Sequence, residues 1–118
     1  MHEMAVVQGL MAILIAQAKA HEIGRIARVR LKIGRLRGLD ARQICAAFEL
    51  FSEGTIVEGA ELDVEEIAAE AHCQTCGTIW RLAGYRLECP SCGTAAADVI
   101  KGRELFIESF DGESNASS

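Results

Sequence analysis

Apolar residues recur at helical spacing over residues 4–22, where Val6, Leu10, Ile13, Leu14 and Ala18 line one side and most other positions are apolar or small. Such a segment predicts a largely buried helix. It stops at Gly24, a residue suited to a left-handed cap, with Lys19 and His21 near the negative end of the helix dipole. From 26 to 33 the period switches to two. Ala27, Val29, Leu31 and Ile33 point one way and Arg28, Arg30 and Lys32 the other, the pattern of a half-buried strand with a basic outer face. Gly34 and Gly38 bracket a turn. Asp40 and Gln43 then predict a capping box that opens a second helix. Its stripe is Ile44, Ala47, Phe48 and Phe51, its end is Gly54, and Cys45 beside the stripe reads as a buried thiol. Around 60–67 Leu62 and Val64 alternate with Glu61, Asp63 and Glu65 in a second strand. A final strand covers 104–110, and the Ser-rich stretch 111–118 reads as a disordered tail. No internal repeat is visible.

Charge sharpens this pattern. The net charge is −5, but residues 1–40 carry seven basic and three acidic groups while 41–118 carry five and fourteen. An acidic row from the later strands facing the basic row of the first explains the split, since opposite charges across a sheet attract. That reading is preferred to a phosphate-binding patch at 25–37. The balance also argues against a general nucleic-acid binder. With 50% hydrophobic residues in 118, the chain is able to bury a core, which argues against disorder. No apolar run reaches the roughly 20 residues of a membrane span. Leu10–Ala16 followed by Ala16-Gln17-Ala18 mimics a secretion signal, but Met1-His2-Glu3-Met4 lacks the positive charge that such signals need.

Residues 72–102 differ in texture, holding the only Pro (Pro90), the only Trp (Trp80), the only Tyr (Tyr85) and four of the five cysteines. Cys73-Gln-Thr-Cys76-Gly77 and Cys89-Pro-Ser-Cys92-Gly93 are two knuckles separated by twelve residues. Two residues between cysteines let both sulfurs reach one ion, and the following glycine lets the backbone curl beneath it. Four thiolates match a closed tetrahedral zinc site, which is structural because no coordination position stays open. So small a module would draw much of its folding free energy from the metal. The spacer 78–88 fits a short hairpin turning near Gly84. A rubredoxin-like iron site has similar knuckles but a longer, aromatic-rich spacer, and a redox pair needs one Cys-x-x-Cys only. His72 abuts the first ligand without being required as one.

At the amino terminus, Met1-His2-Glu3 combines a free amine, an imidazole and a carboxylate ahead of a helix. Amine, His2 amide and imidazole lie close enough to chelate one ion, and nitrogen donors suit Ni(II) or Cu(II). The positive end of the helix dipole eases deprotonation of the amine. Met-His-Glu at residue 1, an apolar helix, the segment Leu31-Lys-Ile-Gly-Arg-Leu-Arg-Gly38, the Phe48-Glu-Leu-Phe51 helix and two Cys-x-x-Cys pairs before a last strand together resemble the HypA/HybF family over residues 1–110. These are hydrogenase nickel-incorporation proteins. The resemblance implies an α+β fold: a small mixed-sheet domain with two helices (1–71 plus 102–111) that binds nickel, an inserted zinc-ribbon module (72–101), and a disordered tail (112–118). It implies nickel held by His2 and the Met1 amine with Glu3 in support, and zinc held by Cys73, Cys76, Cys89 and Cys92. Arg35 and Arg37, in the turn after the first strand, depart from the family pattern without touching a motif.

The function that the resemblance implies is a cytoplasmic nickel metallochaperone for [NiFe]-hydrogenase maturation. Its partners would be the hydrogenase accessory GTPase, the large-subunit precursor and, in some members, urease maturation proteins. The expected state is a monomer or weak homodimer, without membrane or nucleic acid. No nucleophile–base constellation is present, so no enzyme is expected. Gly34-Arg-Leu-Arg-Gly38 lacks the Gly-Lys-Ser/Thr of a phosphate loop, so any GTP dependence belongs to a partner. The rival reading is a nucleic-acid-binding zinc ribbon using Arg81, Arg86, Lys101, Trp80 and Tyr85, against which stands the net −9 from residue 41 onward.

Overall fold

A computed structural model describes residues 3–84 and 86–114. Helix α1 (Glu3–Ala20) and helix α2 (Ala41–Ser52) pack against each other. The strands are β1 (Ile23–Gly34), β2 (Glu61–Ile67), β3 (Glu70–Cys73), β4 (Ile79–Arg81), β5 (Ala97–Lys101) and β6 (Leu105–Ser114). They form two three-stranded sheets, ordered β2-β1-β6 and β4-β3-β5. By contact the chain divides into two units. The first is Met1–Lys32, Gly38–Glu65 and Phe106–Ser118, and the second is Ile33–Arg37 with Glu66–Leu105.

The core of the first unit comes from one stripe of each helix and one face of β1. Val7, Leu10, Met11, Leu14 and Ala18 of α1 are buried, with Ile44, Ala47 and Phe48 of α2 and Ile26, Val29 and Leu31 of β1. Helix α1 is therefore not the largely buried element that its apolar spacing predicts. Ile13 is 52% exposed, Met4 52% and Ile15 41%, so the helix is apolar all round but packed on one side only. Its 18 residues and mean hydropathy of 1.3 make it as long and apolar as a membrane span, contrary to the expectation that no segment qualifies. Here its buried stripe serves as a core face instead. In β1, Ile26 takes the buried place expected of Ala27, and regular alternation begins only at Val29. Helix α2 starts at Asp40, whose carboxylate accepts the Arg42 N–H at 2.9 Å. The reciprocal half of the predicted capping box is replaced: the Asp40 N–H donates to Glu3 Oε2 at 3.1 Å instead of to Gln43.

The outer face of the β2-β1-β6 sheet carries the expected charge ladder. Arg28 pairs with Glu61 at 3.1 Å and Asp63 at 2.8 Å, Arg30 with Asp111 at 2.9 Å, and Lys32 with Glu65 at 3.5 Å and Glu108 at 3.2 Å. These pairs ascend β1 and β2 together and β1 and β6 in opposite senses, so the sheet is mixed. Helix α2 is the crossover between the parallel pair. Strand β6 runs to Ser114, past the start of the expected disordered tail at 112. Asp111 is tied to Arg30, and a Cβ on Gly112 would lie 2.6 Å from Ile23 Cγ2 and 2.7 Å from the Arg25 carbonyl. Close backbone approach and an ion pair hold a polar segment that composition alone marks as loose. Residues 115–118 lie outside the described ones.

The second unit is wider than the expected 72–101 insertion. Strand β3 pairs antiparallel with β4 and with β5, bringing Glu70 and Ala71 into the module. The hairpin thus bends at the first knuckle, between β3 and β4, and not over the spacer near Gly84. The turn 35–37 also belongs here. Gly34 N–H donates to the Glu104 carbonyl at 2.7 Å and Leu36 N–H to that of Gly102 at 2.8 Å.

Candidate metal centre

The two knuckles are local structures of one design. In the first, Cys73 N–H donates to the Thr78 carbonyl at 2.8 Å and Gly77 N–H to the Cys73 carbonyl at 2.9 Å. In the second, Cys89 N–H donates to Thr94 and Gly93 N–H to Cys89, each at 2.9 Å. Gly77 (φ 82°) and Gly93 (φ 77°) occupy the left-handed region that closes such a turn and that a side chain would strain. The structure thus exposes a repeat that the sequence reading missed: Cys-x-x-Cys-Gly-Thr occurs twice, at 73–78 and 89–94.

The knuckles bring Cys73, Cys76, Cys89 and Cys92 together, with all four sulfurs within 4.8 Å of one another. Cys73 and Cys92 are 3.6 Å apart, as are Cys76 and Cys89. Disulfides are excluded at that separation, since a bonded pair lies near 2.05 Å. A tetrahedron with zinc–sulfur bonds of about 2.3 Å has edges of about 3.8 Å, so the sulfur set fits a four-coordinate zinc ion. The first cysteine of each knuckle is buried and the second exposed.

Donors around the sulfurs favour thiolates. Thr78 Oγ1 lies 3.1 Å from Cys76 Sγ, and Thr94 Oγ1 lies 3.2 Å from Cys92 Sγ and 3.5 Å from Cys73 Sγ. The Ser91 and Cys92 N–H groups point at Cys89 Sγ at 3.4 and 3.5 Å. The Thr94 hydroxyl, helped by the Cys76 and Thr75 N–H groups, brings Cys73 down to about 5. Burial pushes Cys89 up, but the Cys92 and Ser91 N–H groups outweigh it and the net shift is downward. Thr78 draws Cys76 down, yet the neighbouring Cys89 thiol and burial outweigh it, leaving Cys76 raised. Thr78 and Thr94 are site residues that the sequence reading passed over, and their position two after each second cysteine was the signal.

The amino-terminal candidates are placed only in part. Met1 and His2 lie outside the described residues, as does Tyr85. Glu3 opens α1, and its carboxylate accepts the Asp40 N–H across 37 positions of chain. That bond, with its own helix-end N–H, holds the Glu3 carboxyl below the usual carboxylate range. His21 and His72 are apart from the four-sulfur cluster, and Cys45 is half-buried where its place beside the stripe predicts a buried thiol, with burial raising its pKa.

The HypA profile, described as hydrogenase/urease nickel incorporation and metallochaperone, matches residues 1–112. A hydrogenase maturation factor HypA from Chlorobium limicola is 41% identical over 110 residues, covering 93% of this chain and 95% of that protein. One from Caldanaerobacter subterraneus is 32% identical and covers 96% and 100%. The solution structure of the nickel metallochaperone HypA from Helicobacter pylori superposes with a TM-score of 0.68 at 27% identity, over 97% of this chain and 99% of that one. A fold of two helices with one mixed and one antiparallel sheet, a paired-knuckle sulfur cluster and these relatives agree: this chain belongs to the HypA family of hydrogenase and urease nickel-incorporation metallochaperones.

Proposed function

We propose that this protein carries Ni(II) on its Met1 amine, His2 amide and His2 imidazole, with Glu3 in support, and delivers it to the precursor of the [NiFe]-hydrogenase large subunit in the cytoplasm. Cys73, Cys76, Cys89 and Cys92 hold one zinc ion in a structural role. Four protein thiolates leave zinc no position for substrate, so its contribution is to fold the module and fix the two knuckles. The accessory GTPase of the hydrogenase system is the expected partner, and nucleotide hydrolysis is its task. Urease maturation proteins are a second set of partners for the same cargo. The chain acts as a monomer or weak homodimer and performs no catalysis.

The observation that carries this reading is a Met-His-Glu start in a chain matched along residues 1–112 by the nickel-incorporation profile. Glu3 adds physical support. Its carboxylate is bonded to the N-cap of α2, so a negative charge is held in place at the residue that follows His2 in sequence. Nitrogen donors also suit a cargo that must leave, because protonation of imidazole or amine releases the metal.

Calorimetric nickel titrations test this. Protein starting at Met1 should bind one Ni(II). His2→Ala should lose that binding with zinc content and fold unchanged. A Gly-Ser extension ahead of Met1 should weaken it sharply, because the amine becomes a peptide amide and the new amine lies beyond the short chelate rings. Equal titrations for native-start and extended protein would rule out amine ligation, and equal titrations for His2→Ala would overturn the terminal site.

A further inference from the structure

Among the described residues, the second unit leaves more of its arginines without an ion pair than the first. It holds six basic and five acidic residues, against six and twelve in the first. In the first unit Arg28, Arg30 and Lys32 on the outer face of β1 are all paired with carboxylates, whereas, among the described residues, Lys19, Arg25 and Arg42 make no ion pair. In the second, among the described residues, the ion pair is Arg86 with Glu88, and Arg35, Arg81 and Arg103 make none. The Arg35-Leu36-Arg37 turn is nevertheless fixed. Leu36 N–H is bonded to the Gly102 carbonyl, and Arg37 Nε donates to the Arg103 carbonyl at 2.8 Å. Gly102 has φ 118°, and a Cβ there would lie 2.8 Å from Ala69 Cα and 3.2 Å from Leu36 Cδ1. A turn clamped this tightly presents Arg35 to a ligand without further ordering of its backbone.

Leu36 and Leu82 form the shared wall of two hollows. One, of about 200 Å³, is lined by Arg35 and Arg81 over a floor that includes Ala68 and Ala69. The other, of about 340 Å³, is lined by Leu87, Val99 and Arg103. We propose that this face docks an acidic-apolar peptide segment of a partner protein, with a carboxylate between Arg35 and Arg81 and a large apolar side chain in the hollow beside Leu87 and Val99. Guanidinium forks match carboxylates in two-point geometry, and among the described residues neither Arg35 nor Arg81 makes an ion pair, Glu70 standing opposite Arg81 in the β3–β4 register without closing one. The adjoining apolar hollow selects a peptide over a free anion, which would leave it unfilled. Nucleic acid is disfavoured by the chain's net charge of −5. The inference stands independently of the terminal nickel site.

The test uses the full zinc-loaded chain and two synthetic peptides, acetyl-Glu-Leu-Glu-Leu-Glu-amide and its counterpart with Gln in place of each Glu. Methyl and amide NMR shifts are followed as each peptide is added. The acidic peptide should give saturable shifts at Leu36, Leu82, Leu87 and Val99, and high salt should weaken them. The Gln peptide should bind at least about tenfold more weakly, as should the acidic peptide to an Arg35→Gln/Arg81→Gln protein. Both arginines are exposed, so that variant retains its fold, which unchanged amide shifts around the cysteines verify. Absence of shifts at millimolar acidic peptide, shifts elsewhere on the chain, equal binding by the double variant, or stronger binding of inorganic phosphate or a single-stranded oligonucleotide would each overturn the proposal.

Discussion

The two units of this chain answer the same problem, how to hold a few strands together, with different materials. In the first, Val7, Leu14, Ile26, Val29, Leu31, Ile44 and Val57 are fully buried, so the strands and helices adhere through apolar packing. In the second, among the described residues, the buried side chains are Ile33, Ala69, Ala71, Cys73 and Cys89, mostly small or sulfur-bearing. A module so poor in large apolar side chains needs another source of cohesion, and the four converging sulfurs are placed to supply it by binding a metal. Loss of one sulfur and loss of one leucine should therefore have effects of different kind as well as size.

The largest effect is expected from Cys92→Ala, or from a strong chelator acting on the native chain. Three thiolates remain, and amide NMR should show loss of dispersion over 66–105 while the signals of α1, α2 and β1 persist. A Cys92→Ala protein that kept one zinc per chain and a native-like second unit would show that the four sulfurs do not act together. Next is Leu14→Ala, whose side chain is 1% exposed. Its truncation should cost the first unit about 2–5 kcal/mol in denaturant unfolding, with zinc content unchanged. If zinc were lost in parallel, the units would not be separable in stability. Gly102→Ala should follow at about 1–3 kcal/mol, confined to the second unit, because the added Cβ meets Ala69 backbone at a left-handed φ.

The same contrast explains what the sequence disclosed. Period-two alternation in Arg28–Ile33 and the paired Cys-x-x-Cys spacing both leave a mark within a few residues, so β1 and the sulfur cluster were readable. Contacts between distant segments leave none. Nothing near Asp40 indicates that its N–H is claimed by Glu3 rather than Gln43, and nothing near Asp111 indicates that Arg30 keeps the last strand going to Ser114. The exposed face of α1 was misjudged for a related reason. Ile13 and Ile15 are as apolar as Leu14, so composition could not say which side the core would take.

The smallest effect concerns one of those distant contacts. The Asp40 N–H, an orphan donor at the start of α2, is bonded to a carboxylate that opens α1, so Glu3 ties the first turns of the two helices. Because that bond favours the charged form, the folded-state carboxyl titrates below the usual range. A group lowered on folding contributes stability that is fully present above its unfolded value and lost as pH falls through the folded one. Glu3→Gln retains an oxygen to accept the N–H but loses the charge that strengthens the bond. Thermal melts of wild type and Glu3→Gln should therefore differ slightly at neutral pH, with wild type the more stable, and converge as the medium is acidified past the carboxylate range. Asp111, lowered by Arg30, adds a background loss over the same interval, which is why the comparison is between two proteins and not along one curve. A difference that stayed constant down to strong acid would mean that Glu3 contributes through packing, and that its carboxylate charge plays no part in joining the helices.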